Sequence, residues 1–150
     1  MPVQRKSEPT MAFWLVKSEP FKYSWDKFVA DGRTHWDGVR NHQAANNLKA
    51  MRVGDQAFFY HSNEGLEIVG IAEVVREAYP DPSDESGKFV MVDLKPVTPV
   101  KVPVTLQQMK QDPVLSQMQL IKQSRLSVCP VTPEQWAHAC RLAGVELAGA

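Results

Sequence analysis

Seven consecutive residues, His35-Trp36-Asp37-Gly38-Val39-Arg40-Asn41, set an indole, a carboxylate, a glycine, a guanidinium and a carboxamide side by side. Trp offers a flat apolar face, Arg a planar fork of donors, and Asn both donors and acceptors. Gly38 lets the backbone turn sharply or come close to a ligand. That inventory suits the holding of a planar, polar, heteroaromatic object. The same residues also fit a core tryptophan followed by a helix cap, so the stretch alone leaves both readings open. A second polar group, Lys17-Ser18-Glu19, closes a short apolar run and so projects at a strand's end, where a surface ion pair with a turn serine is the competing explanation.

Other chemistries find less support. The four histidines, His35, His42, His61 and His138, include no His-x-x-x-His pair and have no CxxC beside them, so no metal is expected. Ser18, Ser62 and Ser127 lie near polar groups, but no G-x-S-x-G elbow is present. No glycine-rich phosphate loop occurs, and no cofactor is expected. Cys129 and Cys140 have no metal or redox spacing and read as small buried apolar residues in a reducing compartment.

The elements that must position these groups follow from pattern and punctuation. Phe13–Val16 reads as a buried strand. Ser24 caps a helix over Trp25–Ala30 with Trp25, Phe28 and Val29 on one face, and Asp31-Gly32 stops it. Asn41 is a good N-cap for a helix running to Met51, which gives it a structural task competing with any ligand. Gln56–Ser62 and Glu67–Glu77, separated by the turn signal Asn63-Glu64-Gly65, read as a hairpin, with Gly70 hinting at a bulge or close crossing. Asp81–Gly87 reads as a mobile acidic loop. Lys88–Val97 is a further strand, ended by Pro96 and Pro99. Thr105 with Gln108 fits a capping box, and Asp112-Pro113 breaks that helix. Leu126–Val131 is a late strand, placed at an edge by Pro130. Thr132-Pro133-Glu134-Gln135 opens a last helix, with Trp136, Cys140 and Ala143 on its inner face. Periodicity thus predicts an α+β domain on a small curved sheet of roughly five strands.

Four motifs in order, WLVKSEP, WDGVRN, FFYHSN and RLSVCPV, make the chain resemble the EVE domain family from about Phe13 to Trp136. The resemblance implies a PUA-like pseudobarrel of about five to six strands with short helices inserted, similar to the YTH domains that read methylated adenine in RNA. It also implies a pocket for a modified base, such as methylated cytosine, formed by Lys17, Ser18, Glu19, Trp36, Val39, Arg40, Asn41, Tyr60, His61, Ser62, Arg125, Leu126 and Ser127. In that reading Trp36 and Tyr60 supply faces. Ser18, Asn41, His61 and Ser127 supply donors and acceptors, and Lys17 and Arg125 neutralise a flanking phosphate. Three positions depart from the family pattern. The N-Y-Q-A-R-N stretch carries His42 and Ala45 in place of an aromatic and an arginine, and Phe89 stands where a tryptophan is common.

Composition narrows the function classes. Lys plus Arg (17) balances Asp plus Glu (17), so no overall charge drives nucleic-acid binding and any such partner must be held locally. No run of apolar residues is long enough to span a membrane, and Met1–Thr10 has no apolar signal core. Residues 1–10 are expected to be a flexible leader and 11–150 a single EVE domain, monomeric, cytoplasmic or, in a eukaryote, nuclear. The expected function is a non-catalytic reader of a modified nucleobase in DNA or RNA. Two alternatives stand beside it: a hydrolase of modified nucleosides like some ASCH domains, with Lys17 and Glu19 as base and partner, and a protein-interaction module.

Overall fold

The computed structural model describes residues 11–63 and 65–145, and the expected leader lies outside them. Six strands form one mixed sheet: β1 (Phe13–Ser18), β2 (Thr34–Trp36), β3 (Gln56–His61), β4 (Glu67–Pro80), β5 (Val90–Thr105) and β6 (Val128–Val131), in the spatial order β2-β5-β4-β3-β1-β6. Among the described residues only the β1–β3 pair is parallel; every other neighbour is antiparallel. Five short α-helices are inserted among the described residues: α1 (Trp25–Asp31), α2 (His42–Ala50), α3 (Leu106–Gln111), α4 (Gln119–Lys122) and α5 (Pro133–Ala143). The whole is an α+β, PUA-like open pseudobarrel. Helix α2 packs on β4, β5 and β6, and Asn47 Nδ2 donates to the Val128 carbonyl at 2.7 Å, so this helix bridges the two ends of the sheet.

Local chemistry explains the helix boundaries. Ser24, Asn41, Thr105 and Thr132 each accept a backbone N–H of the first turn, and the last two form full capping boxes. Gly32 ends α1 in the left-handed region at φ 74°, and Pro133 opens α5 where its missing N–H costs nothing.

Strand β3 is buried almost throughout and divides the core. Phe58 stacks on Trp136 of α5 at 3.9 Å, and Phe13 stacks on the same indole at 4.5 Å. Phe59 points the other way, stacked on Phe28 at 5.3 Å and edge-on to Trp25 and Trp36. Gly70, opposite Phe59, has no room for a side chain: a Cβ there would sit 2.5 Å from the Trp25 ring. The expected bulge is present, with register shifts at Phe59/Tyr60 and at Ile68/Gly70.

Three expectations need correction, and one strand was not foreseen. Strand β5 does not end at Pro96 and Pro99 but runs on to Thr105; register shifts on the β4 side accommodate residues that cannot donate to the ladder. Val29, expected to face inward, is exposed. The acidic loop after β4 is anchored, because Asp81 is buried and Asp84 accepts from Ser86 and from the Phe89 N–H. Strand β2, only three residues long, has no local signature and exists through pairing with Val92–Leu94.

Candidate nucleobase pocket

Strands β1 and β3 end side by side, with Lys17 opposite Tyr60 and Ser18 opposite His61. The chain then turns: the Lys22 and Tyr23 N–H groups donate to the Glu19 carbonyl, and Ser18 Oγ donates to the Tyr23 carbonyl. The Lys17 N–H reaches the Ser127 carbonyl at 3.0 Å, drawing the segment before β6 to the same place. Lys17 Nζ donates to the Ser124 carbonyl at 2.8 Å. Burial pushes the Lys17 pKa down, opposed by the nearby Cys129. Glu19 lies 3.6 Å from Lys22 rather than pairing with Lys17, so the base-and-partner arrangement of the hydrolase reading is not formed.

The opposite wall is the loop after β2. Gly38 takes φ 78°, and its N–H donates to Asp81 Oδ2 at 2.8 Å. Arg40 Nη1 donates to the same oxygen at 3.2 Å, and Nη2 to Ser83 Oγ at 2.9 Å. Asp81 also accepts from the Ser83 N–H and hydroxyl. Burial raises this carboxyl's pKa, but the hydrogen bonds from Ser83, Gly38 and Arg40 outweigh it and bring the value down to about 2. An ionised, enclosed carboxylate thus fixes the backbone between Trp36 and Arg40.

Between these walls lies a cavity of about 750 Å³. Nine of the residues expected at a site line it: Lys17, Ser18, Glu19, Trp36, Val39, Arg40, Ser62, Arg125 and Ser127. Trp36 is 9% exposed, so its ring is mostly core and presents only part of itself to the cavity. Its aromatic contacts, Tyr23 at 75° and Phe59 at 81°, are close to perpendicular rather than stacked. The lining carries four cations, Lys17, Lys22, Arg40 and Arg125, against two carboxylates, Glu19 and Asp37. Asp81 behind the lining offsets Arg40, which leaves a modest local excess of positive charge in a protein of zero net charge.

Four expected residues do not line the cavity. Asn41 spends its side-chain oxygen on the Ala44 N–H as the cap of α2. Tyr60 is 2% exposed, so its ring is no open stacking face, and burial raises its hydroxyl pKa to about 12. His61 Nε2 accepts from the Trp25 N–H, and burial lowers its pKa. Leu126 precedes β6 in a turn, its N–H donating to the Gln123 carbonyl, and its side chain packs into the core.

Sequence reasoning missed several lining residues, among them Lys22, Tyr23, Thr34 and Ser124. Asp81, outside the lining but holding it, was also missed, because an acidic Pro/Ser/Gly loop normally faces solvent. The two departures from the family pattern at aromatic positions turn out to touch: the His42 and Phe89 rings are 5.1 Å apart, and Arg40 lies over Phe89 at 5.4 Å. Ala45 is buried on α2. Cys129 and Cys140 are free and buried, and burial raises both thiols to about 11. Among the described residues no three His, Cys, Asp or Glu side chains converge as a metal site, and no helix is long and apolar enough to cross a membrane.

Comparison with known proteins bears on this geometry. The family model for the EVE domain matches residues 12–142. Thymocyte nuclear protein 1 of Gallus gallus is 36% identical, over 87% of this chain and 68% of the relative. A Rhodopseudomonas palustris protein solved by NMR superposes with a TM-score of 0.86 at 57% identity, covering 93% of this chain and 97% of its own. The crystal structure of human THYN1 in complex with 5-methylcytosine-containing DNA superposes with a TM-score of 0.83 at 34% identity, covering 91% and 99%.

Proposed function

The chain belongs to the EVE domain family, and from that premise we propose that it is a non-catalytic reader of a modified base, methylated cytosine foremost, in DNA. The observation that carries this reading is the convergence of a partly accessible tryptophan, polar strand ends and a local excess of cations on one cavity in an otherwise neutral molecule. A flipped base needs an apolar wall and polar groups at its edge, and the strand around it needs positive charge. The human THYN1 protein, similar across nearly the whole chain, was crystallised with DNA carrying such a base.

Within this reading Trp36 and Val39 form the apolar wall, and Ser18, Ser62 and Ser127 meet the polar edge of the base. Lys17, held by the Ser124 carbonyl, retains donors for an acceptor on the base or a phosphate. Arg125 is exposed and reaches the backbone of the strand. Arg40 acts indirectly, because both of its terminal nitrogens already bind within the loop. Fluorescence anisotropy with DNA oligonucleotides that differ only in 5-methylcytosine against cytosine tests the proposal, with matched RNA as a third arm. Tighter binding of the methylated DNA with a shallow salt dependence is expected. Equal affinities with a steep salt slope mean electrostatic binding without base reading and overturn it. Conversion of the modified base during incubation would instead identify an enzyme.

A further inference from the structure

Beside the cavity's mouth a second polar cluster is built on Asp93, which is 2% exposed. Strand pairing sets His35 of β2 and Arg76 of β4 directly opposite this residue, so the three side chains form one row across adjacent strands. The row lies on the face opposite Val92 and Leu94, which belong to the core. Arg33, just before β2, clasps Asp93 Oδ2 through Nε at 3.2 Å and Nη2 at 2.8 Å. His35 Nδ1 lies 2.9 Å from Oδ1, and the Tyr79 hydroxyl donates to the same oxygen. An ionised carboxylate only accepts, so the ring carries its proton on Nδ1. Burial raises the Asp93 pKa, but these hydrogen bonds from His35, Tyr79 and Arg33 prevail and bring it to about 2.

Satisfying Asp93 does not account for Arg76. Its guanidinium instead lies 3.5 Å from the centre of the Tyr79 ring, a stacked arrangement that fixes the plane of the fork while leaving its edge donors outward. Both arginines are exposed although their anchors are not. Two guanidinium groups thus stand around one carboxylate, and the row continues into the cavity through His35, which is among its lining residues. From β2 to β4 the span is about 10 Å at the usual strand spacing. Arg33 and Arg76 themselves lie outside the lining, placed to meet what extends beyond the cavity rather than what enters it.

We propose that Arg33 and Arg76, preorganised on Asp93 and Tyr79, form a phosphate-binding platform for the nucleic-acid strand that flanks the base in the cavity. The platform rests on the reader function for its partner, yet it predicts something separate. It supplies affinity without distinguishing the modified base, because phosphate contacts position and do not specify.

The test is the salt dependence of binding to the methylated and plain DNA oligonucleotides by wild-type protein, Arg33→Gln and Arg76→Gln. Lys101→Gln, beside Gly144 and seven residues beyond Leu94 on β5, serves as the control. Each arginine variant is expected to flatten the slope of log K against log salt by about 0.7–0.9, with the methylated-to-plain ratio unchanged and the control silent. Arg33→Gln removes a partner of a buried carboxylate and can lower stability. Arg76 stacks on the Tyr79 ring and gives no hydrogen bond to the buried carboxylate, so the slope of Arg76→Gln decides the matter if the first variant folds poorly. Unchanged slopes in a wild type that still discriminates overturn the platform and leave the reader function standing. A wild type that binds both oligonucleotides equally, with flattened slopes in the variants, overturns the reader function and keeps the platform. No measurable DNA binding overturns both.

Discussion

The two sides of β3 use tryptophan differently. On the Phe58 side, Trp136 is sandwiched between two stacked rings, at 3.9 and 4.5 Å, and only 3% of it is exposed. On the Phe59 side, Trp36 is 9% exposed, meets its aromatic neighbours nearly at right angles, and borders a cavity. Exposure alone hardly separates them. What differs is the support: Trp136 sits on a capped helix against apolar neighbours, whereas Trp36 ends strand β2 and the loop that follows it is fixed by a buried carboxylate from the β4–β5 turn. A core position is specified by packing, and a pocket wall needs polar struts to keep an apolar group from collapsing inward.

Truncation breaks this comparison most strongly on the core side. Trp136→Ala is expected to cost about 3–5 kcal/mol of folding stability, read as a lower urea midpoint. The folded fraction should keep its preference for methylated DNA. A loss of that preference would mean that the two sides of β3 are not independent.

Trp36→Ala is expected to reverse the pattern in part. Losing a stacking wall is worth about 1–3 kcal/mol of binding, or about five- to over a hundred-fold in affinity. Because the ring is also largely buried, some stability is lost as well, but less than for Trp136→Ala. Intact binding with a large drop in urea midpoint would make Trp36 a second Trp136 and remove the apolar wall from the proposed pocket.

Gly70→Ala sharpens the comparison from below the pocket. Its new methyl would meet the Trp25 ring at 2.5 Å, and overpacking of this kind costs about 1–3 kcal/mol. Stability should fall while base preference persists, because the aromatic layer of Trp25, Phe28 and Phe59 lies beneath the wall rather than in it. A neutral or stabilising substitution would show that the Trp25 ring has room to shift.

The difference between these regions also explains what the sequence could disclose. Helix caps at Ser24, Asn41, Thr105 and Thr132 were legible because each is satisfied within three residues of its own position. The hairpin of β3 and β4 and the inner face of α5 were legible from local periodicity. Strand β2 was not, since its three residues owe their conformation to β5, nearly sixty positions away. In the pocket, motif membership pointed to the right neighbourhood but could not tell which residues are enclosed or already bonded. Lys17 and Ser18 line the cavity, while their register partners Tyr60 and His61 do not. Asp81 was read with the opposite sense, as part of a mobile loop. Its burial depends on Gly38 and Arg40 meeting it from more than forty positions away.

Asp81 supplies the smallest of the expected effects and the one that separates the two regions by mechanism. Its carboxyl is held at about 2, below its ordinary 3.8. The folded protein therefore releases this proton more readily than the unfolded chain does, so the stability from Asp81 is complete above about pH 4 and lost as pH falls toward 2. Asp81→Asn keeps an oxygen for the Gly38 N–H but removes the charge that faces Arg40. At neutral pH it is expected to cost about 1 kcal/mol. Below pH 4 the gap between wild type and variant should close, because protonation leaves the native carboxyl equally uncharged. Asp84 and Asp93 titrate in the same direction in both proteins, so the difference between the two urea midpoints isolates Asp81. The deficit of Trp136→Ala, by contrast, should stay constant across this range, since no charge supports that ring. An Asp81→Asn gap that persists unchanged down to pH 2 would mean that shape alone holds the loop after Trp36, and the distinction between a packed wall and a strutted one would fall.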